Sequence, residues 1–136
     1  MGTVEGNKPF GQVFEPVRVM AANRLARNGR EWTEIASKFN SGTYNNQWMV
    51  VDMNKVANGN LEESALWVME QLPGRSVQIC CKTFIQKNCT KVILNPRTWA
   101  EDQTLVLRES GYWASYNRAF YPEVFQLSGA AELTKK

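Results

Sequence analysis

Apolar positions recur at helical spacing twice near the start of the chain and then give way to strand-like runs. In "PVRVMAANRLARNG", residues 16–29, Val17, Met20, Ala21 and Leu25 share one helical face. Pro16 suits a first helical turn, where a missing N–H costs nothing, and Gly29 is placed as a C-terminal stop. In "REWTEIASKFNSG" the same signal returns: Trp32, Ile35, Ala36 and Phe39 form a stripe that predicts core packing, and Gly42 closes the segment. From Trp48 to Met53 the pattern predicts a buried strand. Asn58-Gly59 predicts a tight hairpin, because a type I′ turn needs positive φ at both central residues. "ALWVMEQLPG" has no clean period; the hairpin before it and Pro73-Gly74 after it favour a strand. "GYWASYN", Gly111 to Asn117, reads as a strand, and "RAFYPEVFQLSG" as a turn and short helix around Pro122 that closes at Gly129. Two helices followed by an antiparallel β meander define an α+β class.

The stretch "NSGTYNNQWMVVD" interrupts this regularity. Asn45, Asn46 and Gln47 stand directly before a core strand, although amides compete with regular structure by bonding to nearby backbone. Two readings are open. Both asparagines satisfy turn groups, or one of them faces a cleft, since successive strand residues point to opposite sides. Trp48 reads as core or as an acyl-binding wall. Tyr44 reads as a packed turn residue or as a donor to a phosphate or carbonyl.

A length of 136 residues sets one domain, or part of one, as the prior. The net charge of +3 comes from scattered residues. Nucleic-acid binding is therefore the weakest function class, since it calls for a clustered basic patch. No apolar run approaches the ~20 residues needed to span a bilayer, and the N-terminal stretch "MGTVEGNKPFGQ" has no signal-peptide pattern. Gly6 stands where N-myristoylation needs Ser or Thr. There is no histidine, which excludes Ser-His and Cys-His catalysis and mixed Cys/His zinc sites. No metal or cofactor is expected. Cys80, Cys81 and Cys89 lack zinc spacing.

The words "AANRLARNGREWTEIASKFNSGTYNNQWMVVD", "EQLPG" and "GYWASYN", in that order, resemble the phospholipase B-like family, over roughly residues 14–75 and 100–129. The resemblance implies a fragment of the N-terminal-nucleophile hydrolase sandwich, a partial domain spanning 1–136 and taken from the C-terminal half of a longer chain. It implies phospholipid acyl-ester hydrolysis and lipid degradation, by a cysteine freed at a cleaved N-terminus and using its own α-amine as base. It also implies a lysosomal or secreted glycoprotein. Members of this family carry the nucleophile upstream of the matched words, so none of the three cysteines is assigned that role. The implied partner is the nucleophile-bearing part of the chain, and the implied ligand is a phospholipid or other acyl substrate. Asn117, which ends "YWASYN", matches the family's catalytic-support asparagine, an oxyanion donor. Asn45, Asn46, Tyr44 and Trp48 are the expected substrate-binding residues. The alternative is a non-enzymatic remnant or lipid-binding module of the same fold.

Residues 78–99, "QICCKTFIQKNCTKVILNPRTW", depart from the family pattern. They hold all three cysteines and the glycosylation sequon at Asn88. They are expected to be an insertion, either a lineage-specific loop stapled by a disulfide or a translated intron or misjoined gene segment, poorly ordered between strands.

Overall fold

In the computed structural model, which describes residues 11–42, 45–72, 91–95, 98–116 and 118–133, the chain opens with helices α1 (Glu15–Leu25) and α2 (Gly29–Ser37). Strand β1 (Gln47–Val51), a 3-10 turn at Met53–Lys55 and a small hairpin of β2 (Val56–Ala57) and β3 (Asn60–Leu61) follow. Then come β4 (Leu66–Gln71), β5 (Lys91–Asn95), β6 (Thr98–Asp102) and the short helices α3 (Thr104–Ser110), α4 (Pro122–Leu127) and α5 (Ala130–Leu133). The α+β class is the expected one, and it is compatible with a fragment of the hydrolase sandwich.

Pro16 does sit in the first turn of α1, but the buried face of that helix is not the expected one. Val17, Met20 and Leu25 are 50%, 55% and 66% exposed, whereas Ala22 and Arg18 are buried. The reason is polar. The Arg18 guanidinium donates from Nε to the Val13 carbonyl at 3.1 Å, from one Nη to the Ala36 carbonyl and from the other to Asn40 Oδ1 at 3.2 Å. A buried cation is tolerable only when its donors are matched, so Arg18 sets the rotation of the helix. Burial lowers the pKa of this guanidinium, against the opposing charge of Glu15.

Gly29 starts a helix rather than ending one. Asn28 caps α2 by accepting from the Glu31 amide at 2.9 Å, and Glu31 reaches back to the Arg27 amide at 2.9 Å, a reciprocal cap. Gly29 is needed for close approach: a Cβ there would lie 2.6 Å from Cδ1 of Trp67. Gly29→Ala should therefore destabilise the chain by about 1–3 kcal/mol through overpacking, despite the better helix propensity of alanine. A urea midpoint at or above that of the parent would contradict this. Along α2, Trp32 and Ala36 are buried and Ile35 packs beside them, as the stripe predicts. Phe39 does not join them. It has φ +56° and is 64% exposed, because the helix has already ended at Ser37.

The main sheet is antiparallel in the order β1-β4-β6-β5, so the strands do not form a simple meander. Gln47 pairs with Glu70 across β1 and β4, and Glu70 with Trp99 across β4 and β6. Trp67, Met69 and Ala100 face Ala22, Trp32 and Ala36 on the helix side, with Trp48 and Val50 beside them. The other side carries Trp99 against Tyr121 and Val124. All six residues of β4 are buried. That explains its lack of period, because a strand covered on both faces does not alternate. The Asn58-Gly59 turn forms as expected, with φ of +50° and +78°.

Two further expectations change. Among the described residues, 112–116 pair with no strand. Their Trp113 ring instead meets Phe120 edge-on at 5.3 Å, which folds the segment back on itself. Helix α3 was not expected, yet it has sequence signals: Asp102 accepts from the Thr104 amide at 2.9 Å, and Gly111 closes the helix with φ +77°. Of residues 78–99, expected to be poorly ordered, 91–95 and 98–99 lie in β5 and β6. Residues 78–90, with the cysteines and Asn88, lie outside the described residues. Among the described residues no helix is long and apolar enough to cross a membrane.

Candidate functional site

The amide-rich turn before β1 is tied together by its own side chains. Asn40 Oδ1 accepts from the Gly42 amide at 2.9 Å and from Arg18. Asn40 Nδ2 donates to Asn45 Oδ1 at 2.9 Å, and Asn45 Nδ2 donates to the Gly42 carbonyl at 2.6 Å. Both ends of the Asn45 amide are thus engaged by the turn. Asn46 is exposed. Gln47 is the first amide to enter the sheet, on the face opposite α1 and α2.

There it meets Glu70. This carboxylate is only 3% exposed, an unusual position for a charge. Its Oε1 accepts from Gln47 Nε2 at 2.6 Å and from the Phe120 amide at 2.7 Å, and its Oε2 accepts from the Tyr121 amide at 3.0 Å. A carboxylate that gathers donors from two segments is satisfied in place of water. It also fixes the Gln47 amide, which must turn its NH₂ toward an acceptor-only partner. Gln47 Oε1 is left buried with no hydrogen-bond partner among the described residues. Tyr121 completes the anchor, its hydroxyl donating to the Val68 carbonyl at 2.8 Å. Burial, then the charges of Glu101 and Glu70, push the Tyr121 phenol well above its usual range, so the hydroxyl stays a donor.

This anchor presses residues 118–121 against the start of β1. Between them lies a depression of about 230 Å³, lined by Gln47, Ala114, Ser115, Tyr116, Arg118 and Phe120, with Ala119. The rings of Trp113, Phe120 and Tyr121 stack edge to face in series, with centroids 5.3 and 5.2 Å apart. Chemically, the depression offers a buried amide acceptor, hydroxyls, an aromatic wall and one guanidinium. Among the described residues no group of three metal-ligating side chains comes together.

The tertiary fold therefore brings two words far apart in the chain to one place, through Gln47 on one side and Ala114 to Tyr116 on the other. The expected site residues fare differently. Asn117 lies outside the described residues, between Tyr116 and Arg118, which both line the depression. Tyr44 and Asn88 also lie outside them. Trp48 stands on the helix face, its ring 5.6 Å from that of Trp32, on the opposite side of the sheet from Gln47. Sequence reasoning missed Gln47, Glu70, Arg118 and Tyr121. The available signal was Glu70 itself, an acidic residue inside the apolar run "ALWVMEQLPG".

Comparison with known proteins adds a family. The family model described as Phospholipase B matches residues 5–136, a range that runs across 78–99. The chain is 41% identical over 120 residues to phospholipase B-like 1 of Bos taurus, which covers 88% of this chain and 18% of that protein. It is 40% identical over 118 residues to phospholipase B-like protein D of Dictyostelium discoideum, covering 86% and 17%. Phospholipase B-like 1 of Homo sapiens is 38% identical over 120 residues, covering 88% and 18%. The chain thus spans less than a fifth of the length of these relatives.

Proposed function

The chain belongs to the phospholipase B family, and from that premise we propose that it forms one wall of an acyl-ester hydrolase site acting on phospholipids. The nucleophile is supplied by another part of the family chain. The observation that supports this reading is the shared depression: Gln47 from "YNNQW" and residues 114–116 from "YWASYN" line one space, held together by Glu70. Acyl transfer needs a donor aimed at the developing oxyanion, and Asn117, the residue between Tyr116 and Arg118 in the sequence, takes this role. Asn46 and Tyr44, either side of Asn45 in the sequence, contact the substrate. Asn45 and Trp48 support from behind, since the turn and the core engage their side chains. On the same reading the protein is lysosomal or secreted, with Asn88 as its glycan site.

The test is fatty-acid release from phosphatidylcholine. A full-length family member carrying both words should release fatty acid, and the 136-residue chain alone should release none. Thiol-dependent release by the short chain, abolished in a Cys80/Cys81/Cys89→Ser variant, would show that the nucleophile lies within it and defeat the division of labour. A full-length enzyme that binds phospholipid without cleaving it would favour a lipid-binding module.

A further inference from the structure

Among the described residues, Arg118 is the only cation lining the depression. Among the described residues it has no carboxylate partner; the ion pair found there is Arg30 with Glu34, on the exposed face of α2. Its described contact is with Phe125, whose ring centroid lies 4.4 Å from the guanidinium carbon. A guanidinium held over a ring face keeps its in-plane N–H fork free, and that fork matches the oxygens of a phosphate. Glu70, the buried acid behind this wall, has its oxygens hydrogen-bonded to Gln47 and to the Phe120 and Tyr121 amides rather than to Arg118. Ser115 adds a hydroxyl to the same lining.

We propose that Arg118, steadied by Phe125 and assisted by Ser115, forms a phosphate subsite at the mouth of the depression. It would hold the phosphate of an acylated substrate while the ester extends into the depression. This rests on the phospholipid reading for its choice of anion, but its geometry is that of any phosphate site: a fork beside a cavity, steadied by a ring and unpaired among the described residues. Arg118 is exposed, and chelation of two phosphate oxygens is what would set it apart from an ordinary solvated arginine.

The experiment titrates the 136-residue chain with inorganic phosphate and, separately, with phosphatidylcholine vesicles, following tryptophan fluorescence. Arg118→Gln should weaken binding roughly tenfold, the value of a charge-assisted hydrogen bond at an accessible site. Phe125→Leu, which keeps the charge but removes the platform, should weaken it roughly two- to fivefold. Arg24→Gln, at an exposed position on α1, should change nothing. An Arg118-dependent response to phosphate alone identifies a soluble phosphate as the ligand, and one confined to vesicles identifies a lipid headgroup; either supports the subsite. Absence of binding by the parent, equal affinity in Arg118→Gln, or equal weakening in Arg24→Gln overturns it. Binding is read without turnover, so a chain with no esterase activity still tests the subsite. Conversely, failure of the subsite leaves the role of Asn117 standing.

Discussion

Replacing Glu70 by Ala should lower the stability of the chain by about 3 kcal/mol, from the orphaning of buried donors at roughly 1–3 kcal/mol each. The Phe120 and Tyr121 amides lose their described acceptors, and Gln47 loses the partner that orients it. Gln47 is only partly buried and can turn to water, so the sum falls short of three full penalties. A loss of this size is a large share of the ~5–15 kcal/mol that holds a typical domain together. Glu70→Gln should fall between parent and Ala. It keeps the shape but presents one acceptor oxygen where two were used, so one backbone amide faces an NH₂ group. Urea unfolding reads the effect as a lower midpoint at unchanged slope. Amide hydrogen exchange should quicken at Phe120 and Tyr121 before it does in β4. A Glu70→Ala chain with the parent's midpoint would mean that residues 118–121 are held by the ring stack alone.

In a full-length family member carrying the "YWASYN" word, replacing the residue that corresponds to Asn117 by Ala should lower kcat by roughly 10²–10³-fold, the usual cost of removing one side-chain oxyanion donor. A contact made only in the transition state lowers kcat and kcat/KM together, whereas lost ground-state binding raises KM. An asparagine that merely closes a turn would instead cost about 1 kcal/mol of stability and leave turnover per folded molecule nearly intact. Maturation is scored separately, because the same donor can assist the cleavage that frees the nucleophile. A mature, folded Ala variant with near-normal kcat would remove Asn117 from the chemistry and return attention to Asn46 and Gln47.

The sequence by itself determined most of the local structure and the family. Pro16 started a helix, and Asn58-Gly59 closed a hairpin through the positive φ that this turn requires. Trp32 and Ala36 marked a core stripe, and the two long words in order carried the resemblance that the family match bears out. These features depend on bonds and sterics within a few residues, or on words long enough to be specific. Helix α3 was legible in the same way, from Asp102 before it and Gly111 after it, and went unread.

Only the tertiary structure decided what each face meets. The apolar spacing of α1 pointed to Val17 and Met20, but the need to match a buried guanidinium with three acceptors turned Arg18 inward instead. Gly29 looked like a stop because its close neighbour, Trp67, lies 38 positions away along the chain. The aromatic word that read as a strand forms no ladder with the described residues, where Trp113 packs on Phe120 instead; backbone pairing depends on neighbours that sequence does not show. The site is of the same kind. Glu70 acquires its role from Gln47, Phe120 and Tyr121, 23, 50 and 51 residues away. A buried charge announces that it must be satisfied, but its donors are found only once the chain has folded.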